Sequence, residues 1–430
     1  MEAVGRTHAD TYLADVAASA RDVHSGPSSI ESLRALDWLN AFLAALLTGA
    51  GPFVAVNLSD RGWKPSSIGI VLTASGLAGL LSQAPAGELI DRVRSKRTIA
   101  GVGAAVVTLG ILIFGLRPDF PSVLAAAIIQ GTAASLLAPT VAAISLGLVG
   151  QSLLAERLGR NQRFASIGGL AAAGIMGVVG YLVSIRDIFL VTSAFALPAF
   201  WALTHIRGKD IGFARSCCAP ETSSGRPERA SRIVLFKDRR LVVFALCLFL
   251  FQAANASVLP LVGERLVHAH EHWSSLVISA LIVVPQFFVA LLASWVGRTA
   301  NTWGRRPLLL IGLAVVPVRA ALLGLVTDPS LLVPIQVLDG LTGAVLGVLT
   351  TLVVADLAKG TGRFNLAQGL IGTFSGLGAA LSTSTSGFIV STFGETVGFA
   401  SITVVALGAV TILWLFMPET GPPRPDPNAV

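Results

Sequence analysis

The sequence predicts an all-α integral membrane protein with twelve transmembrane helices, arranged as two parallel-repeat bundles of six. Three observations predict this fold. First, the 430 residues are 53% hydrophobic and only 13% charged, about half the charged fraction of a soluble domain. Second, the apolar residues fall in runs that match the roughly 20 residues a helix needs to cross a bilayer, without the alternation of membrane strands. Third, the two halves contain similar motifs in the same order.

Each half contains six apolar runs. The first half has predicted spans at about 35–58, 66–86, 98–116, 121–149, 164–184 and 187–206. The second half has them at about 239–262, 274–296, 307–327, 330–355, 366–391 and 395–417. We therefore expect an N-terminal bundle (34–206), a linker (207–238) and a C-terminal bundle (239–417), flanked by polar tails (1–33 and 418–430).

The distribution of basic residues predicts the orientation. With both termini in the cytoplasm, only five of the 31 Lys and Arg residues fall in outer loops, and Arg319 falls inside a span. The remainder lie on the inner side, as the positive-inside rule requires. The net charge of +7 then reflects contact with an anionic inner leaflet rather than with nucleic acid. We expect a multi-pass protein of the cytoplasmic membrane, acting as a monomer.

The internal repeat rests on three matches. Gly87 and Gly297 open similar charged loops after the second and eighth spans. "IIQGTAASLLAP" (128–139) aligns with "VLDGLTGAVLGV" (337–348), and "GRNQRFASIGGL" (159–170) with "GRFNLAQGLIGT" (362–373). Parallel six-helix repeats are typical of one large class of transporters, in which the substrate site lies between the halves.

From about residue 34 to 417 the chain resembles the major facilitator superfamily, whose hallmark is the charged loop after the second span. In the first copy Arg94 replaces the inner glycine, and in the second Asn301 replaces the aspartate. The residues that fit are Gly87, Asp91, Arg92 and Lys96, then Gly297, Gly304, Arg305 and Arg306. The resemblance implies that Asp91 latches the outward-facing state, facing a helix N-terminus or pairing with arginines such as Arg92. A plain turn with positive-inside charge is the alternative, and we favour it for the other basic residues of the first loop.

Two charges at membrane depth require a partner because an unpaired charge there costs several kcal/mol. Arg319 lies about 13 residues into the ninth span, and Asp339 about ten residues into the tenth. At about 1.5 Å per residue their depths are similar, and one hypothesis is a structural Arg319–Asp339 pair. The alternative is that Asp339 couples transport to protons or balances a cationic substrate.

Two further carboxylates lie near the cytoplasmic ends of spans. Asp37 is near the start of the first span, shallow enough to reach water. Asp356 closes the tenth span, where a helix C-terminus disfavours negative charge. Lys359 and Arg363 are its candidate basic partners, and a gating role is the hypothesis for this cluster.

Polar residues predict a cavity on the spans that line it in the superfamily: the first, fourth, seventh and tenth. Pro139 and Pro260 are candidates for breaking two of these helices. His268, His270 and His272 lie in an outer loop, where we favour solvated side chains over a metal site. The proposed cavity residues are Asn40, Gln130, Gln252, Asn255 and Gln336.

The sequence predicts a secondary transporter of a small organic solute, working by rocker-switch alternating access and driven by protons. The sequence contains no phosphate-binding loop and no recognisable set of catalytic residues. We therefore expect that the protein does not hydrolyse ATP, is not an enzyme and has no cofactor. Export is favoured over import, although Ala127 stands where drug–proton antiporters have an arginine. The alternatives are an uptake permease for a siderophore or metabolite, and a non-transporting sensor or lipid-handling scaffold.

Overall fold

The computed structural model describes residues 29–49, 51–117, 119–219, 231, 235, 237–262, 274–326 and 328–421. Helices make up nearly all of this part of the chain, and no strand occurs in it. The predictions for the N-terminal tail up to residue 28, for His268, His270 and His272, and for residues 422–430 lie outside the described residues.

Eight helices cover the first six predicted spans. They are α1 (Ile30–Gly49), α2 (Gly51–Asp60), α3 (Pro65–Arg92), α4 (Lys96–Leu116), α5 (Phe120–Val149), α6 (Leu154–Leu182), α7 (Ile185–Ala194) and α8 (Ala196–His205). A 3₁₀ turn (Gly208–Asp210) and the single helical turn α9 (Phe213–Ser216) follow. The second half contains α10 (Arg239–Asn255), α11 (Ser274–Trp303), α12 (Arg305–Leu325), α13 (Pro329–Leu357), α14 (Phe364–Phe393) and α15 (Glu395–Phe416).

These helices confirm the predicted all-α membrane fold. Eleven helical stretches of the described residues are long and apolar enough to cross a membrane. α14 is not among them because Gly, Ser and Thr dilute its apolar residues. Its 30 residues nevertheless rise about 45 Å, more than the hydrocarbon core of about 30 Å.

The chain divides into two compact units. The first contains residues 1–230 and 358–366, and the second contains residues 231–357 and 367–430. In the first unit α3 and α4 pack against α5, and in the second α11 and α12 pack against α13 in the same way. Equivalent helices of the two halves therefore have equivalent partners, as the repeat predicts.

Three predicted boundaries are wrong. α3 continues to Arg92 and α11 to Trp303, so Gly87 and Gly297 lie inside helices and do not open loops. Neither 87–92 nor 297–303 contains a proline, and each helix stops only just before the N-cap of the next, Ser95 or Gly304. α5 runs unbroken through Pro139.

Candidate functional site

The membrane-embedded charges meet inside the second unit. The guanidinium of Arg319 on α12 pairs with the carboxylate of Asp339 on α13. The same Nη1 atom donates a hydrogen bond to Oδ1 of Asn255 at 2.7 Å. The Arg319 side chain is 4% exposed and that of Asp339 is 28% exposed. Three predicted residues from three helices thus form one polar cluster, with the carboxylate at its accessible edge.

Asn255 is the last residue of α10, at a break in the seventh span. The chain makes a turn at 256–257 before it becomes helical again at 258–262. The backbone N–H of Ser257 donates to Oγ of Ser382 at 3.2 Å, and its hydroxyl lies 2.9 Å from that of Ser386. Ser382 of α14 thus accepts a backbone hydrogen bond that a continuous helix would make internally, and Ser386 adds a contact between hydroxyl groups. Interrupted helices at membrane depth are typical of transporter binding sites.

Gln336 lies one helical turn before Asp339 on α13. Thr342, one turn after Asp339, donates its hydroxyl to the carbonyl of Gly312 on α12 at 3.0 Å. Gly340, four residues after Gln336, closely approaches Pro285 of α11, so Gln336 lies on the face of α13 that packs against α11. Gln336 is fully buried, and neither of its side-chain amide atoms has a hydrogen-bond partner among the described residues.

The other predicted cavity residues do not join this cluster. Asn40, in the first unit, donates its amide to the carbonyl of Leu36 one turn earlier, at 2.7 Å. The stem of Gln130 packs against Gly110, where a Cβ would lie 2.9 Å from Gln130 Cβ. Gln252 is half-buried on α10.

Asp37 was expected to lie shallow enough to reach water, but it is buried, with only 2% of its surface exposed. Two arginines of α6 surround its carboxylate. Nη2 of Arg157 lies 2.6 Å from Oδ1, and Nη2 of Arg160 lies 2.7 Å from Oδ2. Arg157 is itself fully buried and donates further to Oδ1 of Asn161 at 2.8 Å and to the carbonyl of Leu33 at 3.2 Å. The sequence analysis missed both arginines because basic residues at inner helix ends are the default.

Asp91 lies at the end of α3 and accepts hydrogen bonds from the start of α14. Its Oδ1 accepts from the backbone N–H of Asn365 at 3.1 Å and from the Asn365 amide at 2.8 Å. Its Oδ2 accepts from the backbone N–H of Leu366 at 2.9 Å. All these residues belong to the first unit. The carboxylate satisfies donors that every helix start leaves open and faces the positive end of the helix dipole.

The end of the described linker completes this cap. The carbonyl of Cys217 accepts from the N–H of Phe364 at 3.2 Å, and that of Cys218 accepts from Gly362 at 3.3 Å. The carbonyl of Ser216 accepts from the Asn365 amide at 3.1 Å. We call Asp91 together with Ser216–Cys218 the α14 ledge. It receives the first three backbone N–H groups of α14, so the backbone of the two cysteines helps to hold this helix.

Basic residues flank the ledge. Nζ of Lys96 donates to the carbonyl of Ile90 and lies 3.8 Å from the Cys217 sulfur. Arg92 is exposed and pairs with Glu88 one turn earlier, at 2.5 Å. Lys96 therefore closes the end of α3, while Arg92 remains at the surface.

The second charged loop repeats part of this arrangement. Arg305, the first residue of α12, donates to the carbonyl of Ala300 at 2.5 Å and to Oδ1 of Asn301 at 3.3 Å. Its Nε lies 3.1 Å from Oδ2 of Asp356. The sequence analysis expected Asp356 to have a basic partner and named Lys359 and Arg363 as candidates. It did not name Arg305 of this loop. Arg363 donates its backbone N–H to Thr361 at 3.1 Å.

Glu419 caps the start of α12. Its carboxylate accepts from the backbone N–H groups of Arg305 at 2.7 Å and Arg306 at 3.1 Å. Gly304 precedes these residues with φ +93°, and a Cβ there would lie 2.5 Å from Glu419 Oε2. The positive φ favours glycine at this position, and a larger residue would also displace the Glu419 carboxylate.

Asp210, in the 3₁₀ turn after α8, is tied to the start of α1. Its carboxylate accepts hydrogen bonds from the Ser32 hydroxyl at 2.8 Å and from the Ser29 hydroxyl and N–H at 3.0 and 3.2 Å. Partial burial opposes ionisation, but these hydrogen bonds and the nearby Arg207 hold the pKa of Asp210 below its ordinary value. The start of the first bundle is thereby fixed to its end.

No group of three or more His, Cys, Asp or Glu side chains in the described part of the chain is placed to hold a metal ion. The clusters that do form are ion pairs and helix caps. Their chemistry is that of charge pairing and hydrogen bonding.

Known proteins resemble this chain over most of its length. Two uncharacterized MFS-type transporters of Mycobacterium tuberculosis, from strains CDC 1551 and H37Rv, are each 37% identical over 392 residues. The match covers 90% of this chain and 93% of each relative.

Solved structures share the fold at lower identity. The human organic anion transporter MFSD10 (TETRAN) superposes with a TM-score of 0.69 at 14% identity, covering 89% of this chain and 99% of that one. The proton:xylose symporter XylE, bound to 6-bromo-6-deoxy-D-glucose, gives 0.71 at 14% identity, covering 91% and 96%.

The sequence model of the MFS_1 like family matches residues 35–401. Together with the relatives of 37% identity and the all-α membrane fold, this match decides the assignment. The chain belongs to the MFS_1 like family of major facilitator superfamily transporters.

Proposed function

We propose that the protein is a secondary transporter that moves a small organic solute across the cytoplasmic membrane by alternating access, coupled to protons, with export as the favoured direction. The observation that supports it is the cluster of Arg319, Asp339 and Asn255 at the break in the seventh span. A carboxylate in a membrane is costly unless it is paired or used. Asp339 is paired and also partly exposed, so it can gain and lose a proton.

Proteoliposomes with an imposed pH gradient test this proposal. Solutes from a panel of metabolites and toxins are added, and proton movement is followed with a pH-sensitive dye inside the vesicles. We expect at least one solute to move protons in the wild type, and Asp339→Asn to abolish gradient-driven accumulation. Glu31→Gln is the matched control, since Glu31 forms an exposed ion pair with Arg207.

The outcomes separate the alternatives. Accumulation that persists in Asp339→Asn would refute the coupling role of this residue. The direction in which the gradient drives the solute distinguishes export from import. A solute that binds without crossing the membrane in either direction would favour a sensor.

We also propose that the α14 ledge is the cytoplasmic latch of the transport cycle. The three hydrogen bonds that one carboxylate accepts from a helix start are easily broken as a set when that helix moves. Asp91→Ala should loosen the ledge and expose Cys217, which is fully buried.

Maleimide labelling of Cys217 measures this exposure in a Cys218→Ser, Cys247→Ser background. We expect labelling to be at least severalfold faster in Asp91→Ala than in Glu31→Gln. Equal labelling rates in the two variants would contradict the latch.

A further inference from the structure

The strongest unexplained feature outside the charge pairs is the side chain of Gln336 on α13. It is 0% exposed, and neither of its amide atoms has a hydrogen-bond partner in the described part of the chain. Buried polar groups in folded proteins nearly always have a partner, either from the protein or from an ordered water. A buried amide with both atoms unpartnered therefore marks a place where another polar group belongs.

The contacts of α13 with α11 locate this amide. Gly340, one helical turn after Gln336, approaches α11 so closely that a Cβ on it would lie 2.9 Å from the carbonyl oxygen of Pro285. A Cβ on Gly343 would lie 2.9 Å from Cγ2 of Val289. These contacts advance in the same direction along both helices, so the two helices run parallel where they meet. Gln336 shares a face with Gly340, so its side chain points toward α11.

Pro285 leaves a backbone oxygen of α11 without its donor. In an unbroken helix the N–H of residue 285 would bond to the carbonyl of Leu281, but proline has no N–H. This carbonyl lies on the same face of α11 as Pro285, which is the face that meets α13. One turn before the contact of Pro285 with Gly340, Leu281 is level with Gln336 on the parallel helix. An acceptor without its donor and an unpartnered amide thus face each other across the interface.

We infer that one buried water molecule joins the carbonyl of Leu281 to the amide of Gln336, so that Gln336 supplies the hydrogen bond that Pro285 denies to α11. The water accepts from the amide nitrogen and donates to the carbonyl, which gives it the minimum of two polar partners that a buried water needs. The link is not direct, because the amide nitrogen has no partner among the described residues. Neighbouring side chains and ordered waters are the usual partners of backbone groups that proline frees in membrane helices.

The bridge gives Gln336 a role of its own, separate from the ion pair of Asp339 with Arg319. A water can turn and shift together with its two partners, so α11 keeps a hydrogen bond at Pro285 while it bends against α13. Neither the transported solute nor the coupling ion enters into this arrangement.

A double-mutant cycle between Gln336 and Pro285 tests the bridge by reversible unfolding of the full chain in detergent micelles. In the wild type, Gln336→Leu leaves the Leu281 carbonyl without a partner. In Pro285→Ala the new N–H bonds to this carbonyl, so Gln336→Leu takes nothing from it. Any gain from the added apolar side chain is the same in both backgrounds and cancels. We therefore expect Gln336→Leu to raise the equilibrium constant for unfolding about tenfold more in the wild type than in Pro285→Ala.

Pro317→Ala is the control background. Pro317 also lies inside a helix that packs against α13, but this helix is α12, which contacts α13 through Thr342. The effect of Gln336→Leu should be the same in Pro317→Ala as in the wild type. Equal effects in the wild type and in Pro285→Ala would overturn the inference, and so would an equally large coupling to Pro317.

X-ray hydroxyl-radical footprinting reports the water itself, because a bound water that is irradiated oxidises the side chains next to it. Leu281 and Leu332, which is one turn before Gln336, are each 1% exposed and so are shielded from bulk water. We expect both to be modified in the wild type and in Thr342→Val, and at least severalfold less in Gln336→Leu. A wild type in which neither leucine is modified would overturn the water bridge.

Discussion

The number of positive and negative charges buried around Asp37 predicts how much stability each substitution there should cost. One carboxylate faces the guanidinium groups of Arg157 and Arg160. The side chains of Asp37 and Arg157 are 3% and 0% exposed, so water cannot compensate a lost partner. Asp37→Asn leaves two positive charges without a counter-ion. We expect a loss of about 3–5 kcal/mol in the free energy of unfolding, as is usual when one member of a buried ion pair is removed.

The opposite substitution should be milder. Arg157→Met leaves Asp37 paired with Arg160 at 2.7 Å, a neutral pair. It removes the donors to Asn161 and Leu33, which costs about 1–3 kcal/mol. The double variant should be more stable than Asp37→Asn alone, because the remaining Arg160 side chain is 21% exposed and can reach water.

A double-mutant cycle measured by reversible unfolding in detergent micelles checks this order. Glu31→Gln serves as a reference, since its exposed pair with Arg207 is worth about 0–1 kcal/mol. The reasoning is wrong if Asp37→Asn costs no more than Glu31→Gln. It is also wrong if the double variant loses the sum of the two single losses.

Three further predictions concern helix ends. The pKa of Asp210 is lower in the folded protein than in the unfolded chain, so its carboxylate stabilises the fold at pH values above the unfolded-state pKa and loses this contribution when it is protonated. Thermal unfolding of Asp210→Asn should therefore show a smaller loss of stability than the wild type between about pH 5 and about pH 3. Glu419→Gln should lower the unfolding free energy by about 1 kcal/mol, since it removes the charge that caps Arg305 and Arg306; an unchanged value would contradict the cap. Gly304→Ala should cost about 1–3 kcal/mol for the positive φ, while the Glu419 carboxylate moves aside; a loss well below 1 kcal/mol by the same assay would contradict this requirement.

The sequence could predict that Arg319 and Asp339 each need a partner, because lipid penalises an unpaired charge, and it offered their mutual pairing as one hypothesis. It could not predict that Arg157 and Arg160 surround Asp37. Basic residues at an inner helix end are expected at the membrane surface, and only packing decides whether they turn inward.

Contacts that are distant in sequence were also out of reach. Asp91 was expected to face some helix start, but Asn365 lies 274 residues away, and no local pattern names it. We predicted the end of α3 six residues too early, because charged residues after an apolar run of membrane-spanning length indicate a loop. A helix can continue into water once its apolar part has crossed.

The segment that joins the two halves does more than tether them. The backbone oxygens of Ser216–Cys218 accept hydrogen bonds from Gly362, Phe364 and Asn365. The position of these three oxygens therefore matters, and not only the length of the linker. Splitting the gene after residue 219 and co-expressing the fragments would keep these oxygens attached to the first bundle. Splitting it after residue 206 would detach them, and a glycine–serine spacer of equal reach would not restore what was lost.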